Sequence, residues 1–237
     1  MIKRLFDVLV SGVALVVLSP LLVVIAIWIA ADSRGGVFYR GVRAGRGNRP
    51  FRMLKFRTMV KDAEKLGGPT TGGGDVRITG LGRVLRRFKL DELPQLVNVF
   101  AGDMSLVGPR PQVLSYTSRY EGEFREILAL RPGITDWASI WNADEAAVLE
   151  GAADVDHAYD VLINPTKLHL QLMYARTKSL ATDLRIIYCT IRRMLDSSYY
   201  PPELANVPQL ARGAGSTVPR RRPERSEGPA VPSLRSG

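Results

Sequence analysis

Cysteine and histidine are scarce in this chain of 237 residues, which contains one cysteine and two histidines. The single Cys189 cannot form an intrachain disulfide, which agrees with a domain that works in the cytosol. Together with His157 and His169 it is too small a set to build a recognisable zinc site. The glycine-rich residues 67–74 lack the Gly-Lys-Ser/Thr ending of a P-loop, so we expect a mobile connection or lid there instead.

Acidic residues are outnumbered, with 23 Asp and Glu against 33 Lys and Arg, and the formal net charge is +10. Such an excess predicts anionic partners, namely lipid headgroups, nucleotides or nucleic acid. Residues 205–237 are predicted to form a disordered basic tail because glycine, proline, serine and arginine dominate after about residue 211. The sequence contains no recognisable nucleic-acid module, so a membrane-tethered nucleic-acid binder remains a remote alternative.

Residues 8–31 are almost wholly apolar and long enough to cross the hydrocarbon core of a bilayer. We therefore predict a membrane anchor over residues 1–33. Pro20 falls in the middle and is expected to kink or break the helix, while the preceding Ser19 can bond a carbonyl that the proline leaves free. A cleaved signal peptide fits this segment less well, because the apolar run is too long and lacks a clear small-x-small exit.

The basic residues that flank this run bear on its topology. Lys3 and Arg4 precede it, and Arg34 and Arg40 are among several arginines that follow it. A spanning helix would place one group on the wrong side, whereas a bent, re-entrant helix leaves both in the cytoplasm. A re-entrant anchor is therefore favoured, with an ordinary single-pass anchor as the alternative.

Three further patterns predict local structure. Residues 37–39 and 51–57 have strand-forming character and are joined by a Gly-Arg-Gly-Asn turn, so they are expected to form a hairpin with Lys55 and Arg57 on one face. Apolar residues at helical spacing predict short helices over residues 81–89 and from residue 93 to about Gly102. Residues 184–195 carry a third stripe, which either packs on the core or lies in the lipid interface.

The most informative segment places two adjacent carboxylates, Asp91 and Glu92, at or just before the start of the second short helix. Arg86 lies upstream, and Arg110 follows between two prolines. Helix dipole and arginines are expected to keep Asp91 ionised, as a carboxylate nucleophile must be. Together these residues predict a site where a carboxylate meets a phosphate that arginines hold. The alternative is that Asp91 caps the helix and the arginines are surface charge.

Seven segments also occur in the order typical of one family, and the chain resembles the bacterial sugar transferases over about residues 1–195. The segments are Lys3-Arg4-Leu5-Phe6-Asp7, Ser19-Pro20, Lys55-Phe56-Arg57-Thr58-Met59, Asp75-Val76-Arg77-Ile78-Thr79, Leu90-Asp91-Glu92-Leu93-Pro94-Gln95-Leu96-Val97-Asn98-Val99, Gly102-Asp103-Met104-Ser105-Leu106-Val107-Gly108-Pro109-Arg110-Pro111 and Arg131-Pro132-Gly133-Ile134-Thr135. These are the monotopic enzymes that transfer a phospho-sugar to a polyprenyl phosphate.

The resemblance implies a two-step transfer at the cytoplasmic face of the bacterial inner membrane. Asp91 would attack the sugar-proximal phosphate of a UDP-sugar and release UMP, and a polyprenyl phosphate would then take the phospho-sugar. Glu92 would help Asp91 to hold Mg²⁺ or would manage the acceptor's proton. The remaining residues that the resemblance assigns to the polar face are Arg86 and Arg110, which match phosphate-binding positions, and Lys55, Arg57, Asp75 and Arg77.

The expected architecture is thus a mixed, helix-rich α/β catalytic domain over residues 34–204, with a hairpin, a re-entrant anchor and amphipathic interfacial helices. Downstream of the arginine, Asp136 stands where many members of the family have glycine, which could restrict a backbone that needs positive φ. Such loop changes affect sugar specificity most directly. A catalytically silent membrane scaffold of the same fold is therefore a further alternative, and nothing in the sequence indicates an oligomeric state.

Overall fold

The computed structural model describes residues 2–66, 75–211 and 213–219. The fold is mixed α/β and rich in helix, as predicted, and the predicted glycine-rich lid lies outside the described residues. The strands are β1 Phe38–Ala44, β2 Pro50–Phe56, β3 Ser105–Val107 and β4 Gly133–Thr135. The helices are α1 Ile2–Asp32, α2 Gly80–Arg87, α3 Gln95–Ala101, α4 Leu114–Thr117, α5 Arg125–Leu128, α6 Trp137–Trp141, α7 Glu145–Val148, α8 Val155–Ala158, α9 Asn164–Thr177 and α10 Leu180–Leu195.

Helix α1 is long and apolar enough to cross a membrane, and most of its side chains are exposed. The sequence predicted a kink or a break at Pro20; the helix continues through this residue without interruption, so a break is absent. Pro20 has no N–H for the carbonyl of Val16, and the Ser19 hydroxyl donates a hydrogen bond of 2.7 Å to that oxygen instead. The predicted repair by Ser19 is therefore present in the structure.

The beginning of α1 is bound to the rest of the fold by charged side chains. Lys3 forms an ion pair with the buried Asp183, and Arg4 donates to the carbonyl of Phe100 at 2.8 Å. The buried Asp7 accepts hydrogen bonds from the Ser105 hydroxyl at 2.9 Å and from the backbone N–H of Leu106 at 3.1 Å. These contacts fix the first two turns of α1 against β3.

The end of α1 is bound to the same domain by apolar packing and by an arginine. Ile25 and Ile29 are buried against Phe56, Leu81 and Leu85, on the hairpin and on α2. The guanidinium of Arg57, which follows β2, donates to the carbonyls of the two residues directly after α1. Both ends of a helix of about 46 Å therefore contact one domain.

The predicted hairpin is present, with β1 and β2 antiparallel and Phe38 opposite Phe56. Asn98 ties this hairpin to α3, because its side-chain oxygen accepts from the N–H of Leu54 and its amide donates to the carbonyl of Arg52, both at 2.9 Å. Helix α3 ends at Gly102, whose φ of 99° is left-handed, so the predicted stop is confirmed.

Strands β3 and β4 form a short parallel pair that brings two glycines into close contact. A Cβ on Gly108 would lie 2.4 Å from the carbonyl oxygen of Arg131, and one on Gly133 would lie 2.1 Å from the nitrogen of Gly108. No side chain fits between these backbones, so the two glycines are required by the close approach. This pairing fixes the start of the segment that carries Arg110.

The C-terminal residues differ from the expectation of a disordered tail from residue 205. Residues 199–211 and 213–219, here the C-terminal strap, pack on α6 and α7: Leu204 is fully buried, Trp141 donates to the carbonyl of Pro208 at 2.8 Å, and Gly213 donates to that of Ala147 at 2.7 Å. The composition of this segment suggests disorder because glycine and proline are frequent. Its scattered apolar side chains are nevertheless sufficient to pack it on the domain. Residues 220–237 of the predicted tail lie outside the described part of the chain.

The apolar stripe on α10 faces outward. Leu184, Tyr188, Ile191 and Leu195 are exposed, whereas the opposite side of the helix packs into the core through residues that include Ile186. The sequence left two roles open for this stripe, namely packing on the core and lying in the lipid interface. These four side chains do not pack on the core.

Candidate active site

The two carboxylates lie in a single 3-10 turn, Leu90–Glu92, between α2 and α3. Lys89 precedes them with a left-handed φ of 56°, an unusual conformation for a residue with a side chain. Asp91 follows this reversal and is buried, with 7 % of the residue exposed. The carboxylates thus stand before the helix rather than in its first turn, within the range that the sequence predicted.

Glu92 is held between two cations. Arg110 donates to both of its carboxylate oxygens, at 2.6 and 3.2 Å, and Lys55 donates to one of them at 2.7 Å. Burial acts to raise the pKa of Glu92, but the charges and hydrogen bonds of Arg110 and Lys55 outweigh it and hold that pKa well below its usual range. The charge of Glu92 in turn raises the pKa of Arg110. Glu92 is therefore a fixed anion that orients both cations.

Asp91 has a different environment from its neighbour. Among the described residues, no hydrogen bond or ion pair to its carboxylate is found, although Lys55, Arg86 and Arg110 all act on its charge. Burial raises its pKa above the usual value, and the negative charge of Glu92 adds to this, against the opposing effect of the cations. Asp91 is thus a buried carboxylate with free lone pairs beside positive charge, as a nucleophile toward phosphate requires.

The raised pKa gives a prediction about pH. A carboxylate acts as a nucleophile only when it is ionised, so if Asp91 reacts in this way, the kcat/KM of the reaction should fall on the acidic side as the pH drops toward the pKa of this group. Because that pKa is raised, the fall should begin at a higher pH than an ordinary aspartate with a value of 3.8 would give. A pH–rate profile measures this, and a flat profile down to pH 4 would contradict a buried carboxylate as the reacting group.

Arg86 approaches the carboxylates from α2. Its Nε donates to the hydroxyl of Thr58 at 2.9 Å, and its charge acts on Asp91, Glu92 and Asp75. Burial lowers the pKa of this arginine, which still leaves it cationic at neutral pH. Arg86 therefore adds a third positive charge on the side of the site formed by α2.

Asp75 and Arg77 pair with each other beside the site. The guanidinium of Arg77 donates to both oxygens of Asp75, at distances from 2.6 to 3.1 Å, and also to the carbonyl of Ala63 at 3.2 Å. Hydrogen bonds from Arg77 are the largest influence on Asp75 and lower its pKa, and the charge of Arg86 acts in the same direction. The pair is thus connected to the site by the electrostatic interaction between Asp75 and Arg86, and not by an interaction with Asp91.

Arg57 lies away from the two carboxylates. Strand β2 ends at Phe56, and the guanidinium of Arg57 donates to the carbonyls of Ser33 and Arg34, each at 2.7 Å. These contacts place Arg57 at the carboxyl end of α1, where a cation stabilises the helix dipole. The alternation that predicted a shared face with Lys55 stops at the strand end, and the structure does not bring these two cations together.

Sequence reasoning did not assign Asp136 to the site. This residue is fully buried and accepts hydrogen bonds from the backbone N–H of Arg110 and from Ser139 and Gln171. Its φ is −157°, so the expected restriction of a backbone with positive φ does not arise. A carboxylate within an otherwise apolar loop is the sequence signal that could have indicated its role.

The carboxylates provide a limited set of ligands for a metal ion. In the described ranges no group of three or more His, Cys, Asp or Glu could hold one. Mg²⁺, however, is commonly bound by one or two carboxylates together with substrate phosphates and water. The free oxygens of Asp91 fit that pattern, whereas those of Glu92 are engaged by Arg110 and Lys55.

Fold and site together define a class of protein: an α/β domain on an apolar anchor, with a free carboxylate amid cations suited to an anionic, phosphate-bearing ligand. The family model described as bacterial sugar transferase matches residues 1–197, and the chain belongs to this family.

Relatives of known name agree with this assignment. The chain is 38 % identical over 199 residues to a UDP-N-acetylgalactosamine-undecaprenyl-phosphate N-acetylgalactosaminephosphotransferase of Aeromonas hydrophila, covering 82 % of this chain and 44 % of that protein. It is 39 % identical over 202 residues to an undecaprenyl-phosphate glucose phosphotransferase of Komagataeibacter xylinus, covering 82 % and 36 %. A UDP-glucose:undecaprenyl-phosphate glucose-1-phosphate transferase of Caulobacter vibrioides is 35 % identical over 202 residues, covering 83 % and 72 %. The chain thus spans less than half the length of the first two.

Proposed function

We propose that this protein transfers a phospho-sugar from a UDP-sugar to a polyprenyl phosphate and releases UMP, as a first membrane-bound step of exopolysaccharide or O-antigen assembly. The observation that carries this proposal is the buried carboxylate of Asp91, free of hydrogen bonds in the described structure and surrounded by Lys55, Arg86 and Arg110. The names of the relatives support the substrate class, because each names an undecaprenyl-phosphate acceptor.

In the first step, an oxygen of Asp91 attacks the phosphorus next to the sugar. The bond between that phosphorus and the bridging oxygen breaks, and UMP leaves with the electron pair. In the second step, an oxygen of the polyprenyl phosphate attacks the same phosphorus, and the carboxylate of Asp91 is restored. The product is a polyprenyl-diphospho-sugar, and atoms and charges balance over the two steps.

The protein's contribution to both steps is mainly positioning and neutralisation of charge, as is usual in phosphoryl transfer. Glu92 keeps Arg110 and Lys55 beside Asp91, and Arg86 adds a further positive charge from α2. Mg²⁺ bound through Asp91 and the diphosphate would supply further neutralisation of the leaving UMP. Glu92 would reach such an ion only by leaving part of its ion pairs, so we propose Asp91 as the main protein ligand.

The proposed membrane arrangement follows from α1. Both of its ends contact one domain, so a domain that lies wholly in the cytoplasm keeps both ends of α1 on that side. A re-entrant anchor satisfies this requirement, and a straight span does not. The exposed apolar side chains of α10 would then lie in the interface of the cytoplasmic leaflet of the inner membrane, level with the acceptor's phosphate.

Labelling of introduced cysteines tests this topology. In a Cys189→Ala background, Ile2→Cys and Asp32→Cys mark the two ends of α1, both at exposed positions. A membrane-impermeant maleimide should label both in inside-out vesicles and neither in intact spheroplasts. Labelling of Ile2→Cys from the periplasmic side alone would show a spanning helix and contradict the re-entrant anchor.

Nucleotide release tests the activity itself. The detergent-purified chain should be incubated with Mg²⁺, undecaprenyl phosphate and either UDP-N-acetylgalactosamine or UDP-glucose, the donors that the names of the relatives suggest. UMP that depends on the acceptor lipid is expected. Release of UDP would show ordinary glycosyl transfer, and no nucleotide from a wider donor panel would favour a silent scaffold of the same fold.

A further inference from the structure

The segment that carries Arg110 is nearly rigid, and it offers a single backbone donor. Pro109 and Pro111 fix their own φ angles and have no N–H, and a residue before proline is restricted to extended conformations. Within residues 109–111 the N–H of Arg110 is therefore the only backbone hydrogen-bond donor. The acceptor of that N–H therefore helps to fix the arginine backbone, together with the N–H of Gly133, which donates to the carbonyl of Pro109 at 2.9 Å.

Asp136 is the acceptor of the Arg110 N–H. One carboxylate oxygen accepts from the N–H of Arg110 at 3.1 Å and from the side-chain amide of Gln171 at 3.1 Å. The other accepts from the N–H and from the hydroxyl of Ser139, both at 2.7 Å. Four donors from three separate segments hold this fully buried carboxylate in one orientation.

The contact is transmitted to the reacting group through Glu92. The guanidinium of Arg110 binds both oxygens of Glu92, and because the two hydrogen bonds of such a pair share one planar geometry, a shift of the Arg110 backbone has to be absorbed by its side-chain torsions or it weakens the pair. Arg110 also acts on the charge of Asp91. A displacement of a positioning group by about 1 Å can lower the rate of the chemical step about 100-fold.

We infer that Asp136 is a positioning residue, which holds the backbone of Arg110 and thereby sets the cation that neutralises the substrate phosphate. The inference rests on the proposed function for its effect on rate, but the contact itself does not depend on that function. Asp136 acts only through Arg110 and does not touch the substrate.

Asp136→Asn isolates this contact. The asparagine oxygen can still accept from Ser139, as asparagine commonly does at the start of a helix. Among the described residues the buried Oε1 of Gln171 has no hydrogen-bond partner, so the Gln171 amide can flip and accept from the new side-chain NH₂. The N–H of Arg110 then loses its acceptor, and the flipped Gln171 Nε2 takes the place of the unpartnered Oε1. Asp154→Asn is the matched control, because Asp154 caps α8 through the N–H of His157 at 3.0 Å.

Hydrogen exchange measures the contact directly. In the wild type, the Arg110 amide should exchange within about tenfold of the Gly108 amide, which donates to the carbonyl of Thr135. Asp136→Asn should accelerate exchange at Arg110 by about tenfold or more, and Asp154→Asn should leave it unchanged. A fast Arg110 amide in the wild type would overturn the inference without any variant, as would unchanged exchange in folded Asp136→Asn.

Kinetics measures the consequence. Asp136→Asn should lower kcat for UMP release about 10- to 100-fold, yet it should change kcat less than about twofold when added to Arg110→Ala, because both act through one group. Equal fold losses in the two backgrounds would show that Asp136 does not act through Arg110. A wild type that releases no UMP would contradict the proposed function, and the exchange result would still decide the role of Asp136.

Discussion

Asp91→Asn is expected to reduce acceptor-dependent UMP release by roughly 10³-fold or more. Asparagine has the shape of aspartate but no anionic oxygen to attack phosphorus, so no phospho-sugar adduct can form. The substitution should not unfold the protein. Burial raises the pKa of Asp91, so its ionised form opposes folding at neutral pH, and a neutral side chain removes that cost.

Two measurements accompany the rate. Mass spectrometry of the wild type mixed with UDP-sugar and no acceptor should detect the added phospho-sugar, and the Asp91→Asn protein should lack it. The melting temperature of Asp91→Asn should equal or exceed that of the wild type. Asp62→Asn is the control, since Asp62 is exposed and has a left-handed φ of 58° that asparagine accepts readily. Near wild-type turnover in Asp91→Asn would refute the covalent route.

Arg110→Ala should lower kcat/KM for the UDP-sugar by about 30- to 1000-fold, equivalent to about 2–4 kcal/mol of transition-state stabilisation. Two effects combine in this loss. A cation beside the reacting phosphate disappears, and Glu92 keeps only Lys55 as a partner, so its negative charge repels the incoming diphosphate more strongly. Arg110→Lys should fall between the alanine variant and the wild type, because lysine restores charge without the paired geometry.

Arg176→Ala is the matched control for this arginine. Arg176 also binds carboxylates, those of Glu123 and Glu126, but all three side chains are about half exposed. Exposed ion pairs contribute about 0–1 kcal/mol, so its loss should change kcat/KM less than about twofold. If Arg110→Ala also stays within about tenfold of the wild type, Arg110 does not contact the reacting phosphate.

Local patterns in the sequence were sufficient for local structure. The hairpin, the end of α3 at Gly102 and the hydrogen bond of Ser19 each depend on residues within a few positions of one another. The ion pairs of Glu92 join residues that are far apart in the sequence: Arg110 lies 18 positions from Glu92, and Lys55 lies 37 positions from it. No spacing rule encodes such contacts, so the site residues could be named only from their chemistry and from the resemblance.

Two residues show where periodicity stops being informative. The alternation of β2 placed Arg57 beside Lys55, yet the strand ends one residue earlier and the carbonyls at the end of α1 attract the guanidinium instead. Asp136 looked like a steric problem in the sequence, although its backbone is extended and its side chain serves as an acceptor for Arg110. Both outcomes depend on what lies opposite in space.

The attachment of α1 at both ends also determines which parts of the chain can be separated. A soluble version made by removing residues 1–33 would take Lys3 from the buried Asp183 and Asp7 from Ser105 and the N–H of Leu106. It would also uncover the apolar side chains that Ile25 and Ile29 protect. The anchor is thus an internal part of the folded domain, and replacement by an unrelated hydrophobic helix would not reproduce it.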